Sequence, residues 1–214
     1  MWLWREFSGL VSLPVCFLSS PCLIGHCLHS AADPMSFSSF DFQKNYFQLF
    51  GLAQSYRLDN SQLEQQYREL QNLVHPDKHA HATDVEQRVA MQRATLVNEA
   101  YQTLRNPLRR ARYLLTLQGI DTQEETNTAM PPDFLMEQME WREAVIEAQQ
   151  ACDMAALTEL ETRLHRATTE LETMLSVKID ADKNYSAAAE LVRKLRFLEK
   201  LAEEIHAAYD AIDY

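Results

Sequence analysis

Residues 73–78 read Leu-Val-His-Pro-Asp-Lys, and this short stretch interrupts two amphipathic helical patterns. Upstream of it, apolar side chains at helical spacing form one stripe: Leu63, Tyr67, Leu70 and Val74. Pro76 lacks an amide proton and disfavours helical geometry at the residue before it, so the helix must end here. The tripeptide His-Pro-Asp therefore joins two helices through an exposed loop.

The helix after the loop is predicted to begin at Thr83. Thr83 and Glu86 have the spacing of a capping box, in which each residue's side chain accepts a hydrogen bond from the other's backbone. This helix runs to about residue 104 and faces the preceding helix through Val89, Leu96 or Val97, Ala100 and Leu104. Two amphipathic helices on such a loop are compatible with an antiparallel hairpin.

Taken alone, His-Pro-Asp is most simply a helix stop followed by an Asx-type turn. Between two packed helices, a polar loop that offers an imidazole, a stiff ring and a carboxylate is also a good docking point, because the scaffold fixes its geometry. A metal site built from His75, His79 and His81 near Asp77 is disfavoured, since the loop offers no predicted fixed geometry or supporting shell of residues.

Helices on either side of this hairpin follow from aromatic and capping residues. The aromatic run 40–52 predicts a short first helix that ends at Gly51. Its aromatic side chains at helical spacing are predicted to be core: Tyr46, Phe47 and Phe50. Asp59 or Ser61 can cap the second helix.

A fourth helix is predicted to begin at Asn106-Pro107, since Asn caps well and Pro is favoured at the first helical position. It ends at Gly119 and carries an apolar row: Leu108, Ala111, Leu114 or Leu115, and Leu117.

Composition limits the class of protein. The chain has 214 residues, is 46% apolar and contains only four Gly and seven Pro, which favours a folded, helix-rich protein. A net charge of −11 makes nucleic acid an improbable partner. The four cysteines include no CxxC pair, so a zinc site has little support and Cys152 is interpreted as an unpaired thiol.

Residues 1–34 differ from the rest, with Arg5 as their only lysine or arginine and an uneven apolar run from Phe7 to Leu28. A secretory signal, a membrane span and a mitochondrial transit peptide each lack a defining feature. We favour the interpretation that translation begins at Met35 and that the preceding stretch is not part of the native protein.

A domain boundary is predicted at residues 119–132, where a Thr/Glu/Asn-rich segment ends in Pro131-Pro132. This linker separates a first domain at 40–118 from a bundle of three helices at 133–214. The first bundle helix runs from about Asp133 to Ala151. The second carries an apolar seam at Leu157, Leu160, Leu164, Ala167, Leu171 and Met174. The third carries Ala188, Leu191, Leu195, Leu198, Ala202, Ile205 and Tyr209.

The expected fold class is therefore all-α, and neither part shows a strand pattern, a phosphate-binding loop or a nucleophile elbow. Some apolar residues lie off the bundle seams. On the first bundle helix, a Leu/Met patch with an acidic border is formed by Leu135, Met136, Met139, Glu140 and Glu143. On the last helix, Phe197 lies at the edge of the core stripe. These residues either widen the core face or form a binding surface.

The His-Pro-Asp loop between amphipathic helices resembles the signature of a J domain. The run Leu104-Arg105-Asn106-Pro107, followed by residues 110–115, is also similar to the J-domain end of one particular family. The resemblance implies that the loop engages the ATPase domain of a DnaK-type heat-shock chaperone and stimulates ATP hydrolysis. Asp77 would accept from a basic group of the chaperone, and Pro76 would hold the shape of the loop. The implied chaperone-binding residues are Arg68, His75, Pro76, Asp77 and Lys78.

Residues 134–140 and 192–198 resemble the C-terminal domain of the HscB family, the J-type co-chaperones of iron–sulfur cluster assembly. The similarity extends over almost everything from Asn45 to the end. It implies a non-enzymatic protein without a cofactor, whose J domain recruits the specialised chaperone HscA and whose bundle binds the cluster scaffold IscU. The implied scaffold contacts are Leu135, Met136, Met139, Glu140, Glu143 and Phe197.

Two features depart from related proteins. The second helix offers mainly Arg57 and Arg68 before Lys78, which argues against a general heat-shock chaperone as partner. The cysteines do not match the zinc module of animal relatives, which favours a bacterial-type, cytoplasmic protein; the alternative is the mitochondrial matrix of a eukaryote. A general J-type co-chaperone for unfolded clients and a helical oligomerisation protein are the competing hypotheses.

Overall fold

The computed structural model describes residues 44–74, 83–122, 124 and 130–212. Within these ranges the regular structure is helical, and no strand occurs. The α-helices are α1 (Tyr46–Leu49), α2 (Asn60–Val74), α3 (Asp84–Arg105), α4 (Pro107–Leu117), α5 (Pro132–Gln150), α6 (Met154–Ser176) and α7 (Tyr185–Ile212), with a π-helical turn (Val177–Ala181) directly after α6. The all-α prediction is confirmed for this part of the chain. The predictions for residues 1–34 and 40–43 lie outside the described residues.

The helices begin at the residues that the capping patterns indicate. Thr83 accepts a hydrogen bond from the backbone amide of Glu86, whose carboxylate accepts one from the backbone of Thr83, so the predicted capping box is confirmed. The Asn106 side chain accepts from the amide of Arg109 at 2.9 Å, with proline at the first position of α4. Of the two candidates for α2, Asp59 is the cap: its carboxylate accepts from the Ser61 amide at 2.9 Å.

The helical hairpin of α2 and α3 is held by the predicted stripe on α2. Leu63, Leu70 and Val74 are buried, and Tyr67 stacks on Tyr101 with ring centroids 4.0 Å apart. On α3 the fully buried side chains are Ala90, Val97, Ala100 and Leu104. Val89 and Leu96 are half-buried, so the core row passes through Ala90 and Val97. The helical period favours this row, because Ala90, Val97 and Leu104 recur every seven residues.

Helices α1 and α4 close the other side of this domain. Phe47 and Phe50 are completely buried, whereas Tyr46 is half-buried and stacks on Tyr113 at 4.3 Å. Of the described part of the predicted run, helix α1 covers Tyr46–Leu49, and it is followed by Gly51 in the left-handed region at φ 63°. On α4, both Leu114 and Leu115 are buried. Leu117, the last residue of α4 and of the predicted apolar row, is exposed.

The second half of the structure is a bundle of α5, α6 and α7. Its core is built from side chains of all three helices: Trp141, Val145, Ala148, Leu157, Leu160, Leu164, Leu198, Leu201, Ile205 and Ala208. At the end of α6 the predicted seam was wrong, since Met174 is 45% exposed and Leu175 is completely buried. A similar shift on α7 buries Val192 in place of Leu191, which is half-buried.

The two halves are in direct contact. Helix α4 packs against α7, and the π-helical turn reaches the segment between α1 and α2 through the carboxylate of Asp180. Arg193 on α7 donates to the backbone oxygen of Thr122 at 3.2 Å. The free thiol of Cys152 lies exposed in the turn between α5 and α6, at φ 53°.

Candidate functional site

The tip of the α2–α3 hairpin is the first candidate site. His75, Pro76, Asp77 and Lys78 lie outside the described residues, as do His79 and His81. The structure describes both of its anchors, since α2 ends at Val74 and the capping box at Thr83 opens α3. Two packed helices therefore hold the ends of the loop.

Arg68 is the one predicted chaperone contact that the structure describes. It lies on the outer face of α2 with its side chain 70% exposed, and it pairs with the carboxylate of Glu64 one turn earlier. An exposed ion pair of this spacing contributes little to stability, roughly 0.3–0.5 kcal/mol. The Arg68 guanidinium is thus free to exchange Glu64 for a carboxylate of a partner protein. Glu69 lies beside it and accepts from Gln65 and Gln66, so this face carries little net positive charge.

The outer face of α5 is the second candidate site. Met136 and Met139 are each 61% exposed, and Leu135 is 37% exposed. The opposite face of the same helix carries its core residues: Gln138, Trp141, Val145 and Ala148. Because the two sets lie on opposite sides of the helix, the Leu/Met side chains are not part of the bundle core. They form an apolar stripe directed at solvent.

Acidic side chains border this stripe. Glu140 and Glu143 are both exposed, one and two turns along α5 from Met136. Arg142, the basic residue between them, is turned aside by an ion pair with Glu204 of α7, with Nε 3.0 Å from the carboxylate. The α5 surface, defined as Leu135, Met136, Met139, Glu140 and Glu143, therefore combines apolar anchors with two carboxylates that form no ion pair within the described part of the chain.

Phe197 does not lie on the exposed stripe. Its ring packs edge-on against Phe134, with centroids 6.0 Å apart, and it is half-buried. Phe134 is on the inner side of α5, where the ammonium group of Lys194 lies 5.6 Å from the centre of its ring. At about 100° per residue, Phe134 is roughly 160° around the helix from Met136. Phe197 thus packs on the side of α5 that faces α7, away from Met136, and supports α5 from α7.

Sequence reasoning missed one exposed apolar residue on the same face. Ile146 is 52% exposed and follows Met139 by seven residues, so the two side chains lie on one side of α5. From Leu135 to Ile146 the stripe extends about 16 Å. The helical period was the signal that could have found it, since Leu135, Met139 and Ile146 recur at spacings of four and seven.

A cluster of ionisable side chains lies where the two halves meet. The Arg110 guanidinium is buried, donates to the backbone oxygen of Leu104 at 3.0 Å and lies 5.2 Å from the centre of the Tyr56 ring. Burial raises the pKa of the Tyr56 hydroxyl and lowers the pKa of Arg110, while Tyr56 and Glu172 oppose the change on Arg110. Burial also raises the pKa of Glu172, against the attraction of Arg110 and His165. None of these groups lies on the α5 surface.

The described residues give no sign of a metal centre, since they hold no group of three or more His, Cys, Asp or Glu side chains placed to share an ion. Among the helices that the structure describes, none is both long and apolar enough to cross a bilayer.

Comparison with known protein families finds two matches in this chain. Residues 45–113 match the DnaJ domain, and residues 130–206 match the HSCB C-terminal oligomerisation domain. A co-chaperone protein HscB homolog from Azoarcus sp. (strain BH72) is 50% identical over 175 residues, which cover 82% of this chain and 99% of that protein. A second one, from Ralstonia nicotianae (strain ATCC BAA-1114 / GMI1000), is 48% identical over 168 residues, which cover 78% of this chain and 96% of that protein.

Solved structures are similar over the same region. The chaperone HscB from Vibrio cholerae has a TM-score of 0.70 and 42% identity, covering 79% of this chain and 99% of that chain. Human co-chaperone protein HscB has a TM-score of 0.73 and 35% identity, covering 78% of this chain and 83% of that chain.

Proposed function

This chain belongs to the HscB family of J-type co-chaperones, and we propose that it links two partners, the DnaK-type chaperone HscA and the iron–sulfur scaffold IscU. The observation that carries the proposal is the α5 surface, an exposed Leu/Met stripe with an acidic border in a chain that also has a J domain. A J domain accounts for recruitment of a chaperone but leaves such a surface unexplained. A client-presenting co-chaperone needs both.

At the hairpin, we assign chaperone binding to Arg68, His75, Pro76, Asp77 and Lys78. Asp77 accepts a charge-assisted hydrogen bond from a basic group of the chaperone, and Arg68 offers a second charged contact on α2. Contact at this point favours the conformation of the chaperone that hydrolyses ATP. The bond-making chemistry belongs to the chaperone, so no residue of this chain is catalytic and no cofactor is needed.

On the bundle, we assign scaffold binding to the α5 surface together with Phe197. Leu135, Met136 and Met139 enter apolar pockets of the scaffold, and Glu140 and Glu143 meet basic residues at the rim. Phe197 acts indirectly, because its contact with Phe134 orients the first turns of α5. Methionine suits this role, since its flexible thioether adapts to the shape of the partner.

Joining the two sites in one chain makes the second binding event effectively intramolecular. The bundle carries the scaffold, and the hairpin then meets the chaperone at a raised effective concentration. We place this activity in the bacterial cytoplasm, in the maturation of iron–sulfur proteins, since the chain is about half identical to bacterial relatives over nearly their whole length.

Replacement of Asp77 by Asn tests the hairpin assignment. The amide cannot supply a charged acceptor, so stimulation of the HscA ATPase should fall at least about ten-fold, equivalent to about 1.4 kcal/mol. Single-turnover ATP hydrolysis measures the rate, and isothermal calorimetry should give unchanged affinity for IscU. Retained stimulation by a folded Asp77→Asn variant would show that the loop is only a helix stop.

Replacement of Met136 and Met139 by Ala tests the α5 surface. Each methionine should contribute about 1–2 kcal/mol to the complex, so the double variant should bind IscU about 30-fold to 1,000-fold more weakly while chaperone stimulation without scaffold is unchanged. The matched control is Met91→Ala with Met174→Ala, which removes two exposed methionines elsewhere. Equal affinity of both double variants would place the scaffold at another surface and would favour a general co-chaperone for unfolded clients.

A further inference from the structure

One carboxylate of the bundle binds three groups of the J domain. Asp180 lies in the π-helical turn after α6, and its two oxygens accept from Ser55 Oγ at 3.0 Å, from the Tyr56 amide at 2.8 Å and from the Arg57 amide at 3.1 Å. The donors lie more than a hundred residues earlier in the chain, in the segment that connects α1 to α2. Asp180 thus acts on a loop of the other domain as a capping residue acts on its own helix.

The segment that Asp180 binds is also held from the J-domain side. The Tyr56 side chain is 4% exposed, and the Arg110 guanidinium lies over its ring. Arg110 is itself tied to the end of α3 through the backbone oxygen of Leu104. The segment therefore lies between two fixed partners, with Arg110 on one side and Asp180 on the other.

The local backbone of the bundle places Asp180 at this position. Ile179 is buried beside it, and the widened turn closes through hydrogen bonds from Asp182 to the Val177 oxygen and from Asn184 to the Lys178 oxygen, both at 2.9 Å. A π-helical turn within a helical run often marks a functional position. Asp182, by contrast, is exposed and pairs with Lys178 on the same turn.

Fixing the segment 55–57 has a consequence at a distance. The segment leads within three residues into α2, which is 15 residues or about 22 Å long. The His-Pro-Asp sequence follows the far end of α2. A change of direction at the base of α2 therefore displaces the chaperone-binding tip by many ångströms. The packing of α4 on α7 holds the two domains together, and Arg110 of α4 contacts the Tyr56 ring; Asp180 is the bundle residue that binds the backbone amides of this segment.

We propose that Asp180 is a positioning residue that sets the direction of α2, and thereby the placement of the Val74 end of α2 relative to the α5 surface. The consequence for activity rests on the proposed function, whereas the geometric claim does not. Without Asp180 each surface still binds its own partner. The coupling between the two is lost, because the hairpin is no longer presented in one direction.

Hydrogen exchange followed by NMR tests the geometric claim on the full chain. In Asp180→Ala the Tyr56 and Arg57 amides should exchange at least ten-fold faster, while the Val97 amide in the core of α3 keeps its rate. Asp180→Asn retains one acceptor oxygen and should give an intermediate rate. Asp182→Ala, the matched control on the same turn, should leave all three rates unchanged. Unchanged rates in Asp180→Ala, or an equal acceleration at Val97, would overturn the proposal.

Pulsed dipolar EPR measures the direction of α2 with spin labels at Gln71 and Glu190, both exposed, in a background without native cysteines. The distance distribution should be narrow in the parent and in Asp182→Ala, and at least twice as broad in Asp180→Ala. A distribution of parental width in Asp180→Ala would overturn the proposal.

The functional measurement compares half-maximal co-chaperone concentrations for HscA ATPase stimulation with and without IscU. Asp180→Ala should leave the value without IscU within two-fold of the parent and raise the value with IscU at least five-fold. If Asp180→Ala has a broadened distance distribution but the same half-maximal concentrations as the parent, with and without IscU, the proposal is overturned. If the parent protein neither binds IscU nor stimulates HscA, the proposed function is wrong. The hydrogen-exchange rates and the EPR distance distribution then still test the structural role of Asp180.

Discussion

At the scale of single residues, the most informative group is the polar cluster between the two halves. Arg110 is buried and charged, which costs free energy unless the charge is compensated. The Leu104 oxygen, the Tyr56 ring and the attraction of Glu172 and Asp180 provide that compensation. A buried cation with several partners favours one arrangement of its neighbours over others, because most alternatives leave the charge unpaired.

We expect the Glu172→Gln substitution to change how the free energy of unfolding depends on pH. Burial, opposed by Arg110 and His165, raises the pKa of Glu172 above its ordinary value of 4.5, so the folded protein binds this proton more tightly than the unfolded chain. Glu172 therefore contributes stability below pH 4.5 that is lost as the pH rises through its raised pKa. Gln cannot ionise. The free energy of unfolding of the parent, minus that of Glu172→Gln, should fall from pH 4 to pH 7.

Urea unfolding of both proteins at half-unit pH steps gives this difference. A difference that rises over the same range would mean that Arg110, and not burial, dominates the environment of Glu172.

At the scale of elements, α6 shows how a long helix departs from the seven-residue seam that its sequence suggests. The predicted seam continues from Leu171 to Met174, whereas the structure buries Leu175, four residues on. A straight helix has 3.6 residues per turn, so its buried face drifts by about 20° per heptad relative to a strict seven-residue repeat. Over the 23 residues of α6 this drift is enough to change which residue of the last turn faces the core.

Alanine substitutions at the end of α6 test this change of register. Leu175→Ala should lower the free energy of unfolding by about 2–5 kcal/mol, because truncation of a completely buried side chain leaves a cavity in its place. Met174→Ala, next to it in the chain but exposed, should change it by less than about 0.5 kcal/mol. Chemical denaturation followed by circular dichroism measures both. A larger loss of stability in Met174→Ala than in Leu175→Ala would mean that Met174, and not Leu175, packs in the core.

At the scale of the whole molecule, the two candidate surfaces lie on different domains of one chain whose net charge is −11. Acidic residues are spread over the surface, but the α5 surface places two of them beside apolar anchors without a neighbouring free base, since Arg142 is paired with Glu204. Charges at the rim of an interface act mainly on the rate of association. The acidic border should therefore steer a basic partner towards α5.

Replacement of both Glu140 and Glu143 by Gln tests this steering. In stopped-flow mixing with IscU at low salt, the association rate should fall about three-fold to ten-fold, and the difference from the parent should shrink at high salt because the charges are screened. The control is Glu159→Gln with Glu170→Gln, which makes the same change in net charge on α6, where both residues are exposed. Equal slowing in the two double variants would assign the effect to net charge alone.

Most helix boundaries of this protein follow from interactions that are local in the chain. The caps at Thr83 and Asn106 and the turn at Gly51 follow from interactions within a few residues, and the structure agrees with each prediction. The apolar stripe of α2 follows from helical period, whereas for the Leu/Met side chains of α5 the period left open whether they widen the core or face solvent, and the structure exposes them. Such features are local, because a side chain three or four residues away along a helix is a neighbour whatever the rest of the fold does.

Contacts between distant parts of the chain depend on the tertiary structure. In the folded protein Phe197 packs against Phe134, and Leu175 is buried while Met174 is exposed. Asp180 accepts a hydrogen bond from Ser55, which lies 125 residues earlier in the chain. No period or cap predicts these contacts, because each depends on how whole helices and domains approach one another. The residues that make up the two surfaces are thus determined locally, whereas their relation in space is set by packing between segments that are far apart in sequence.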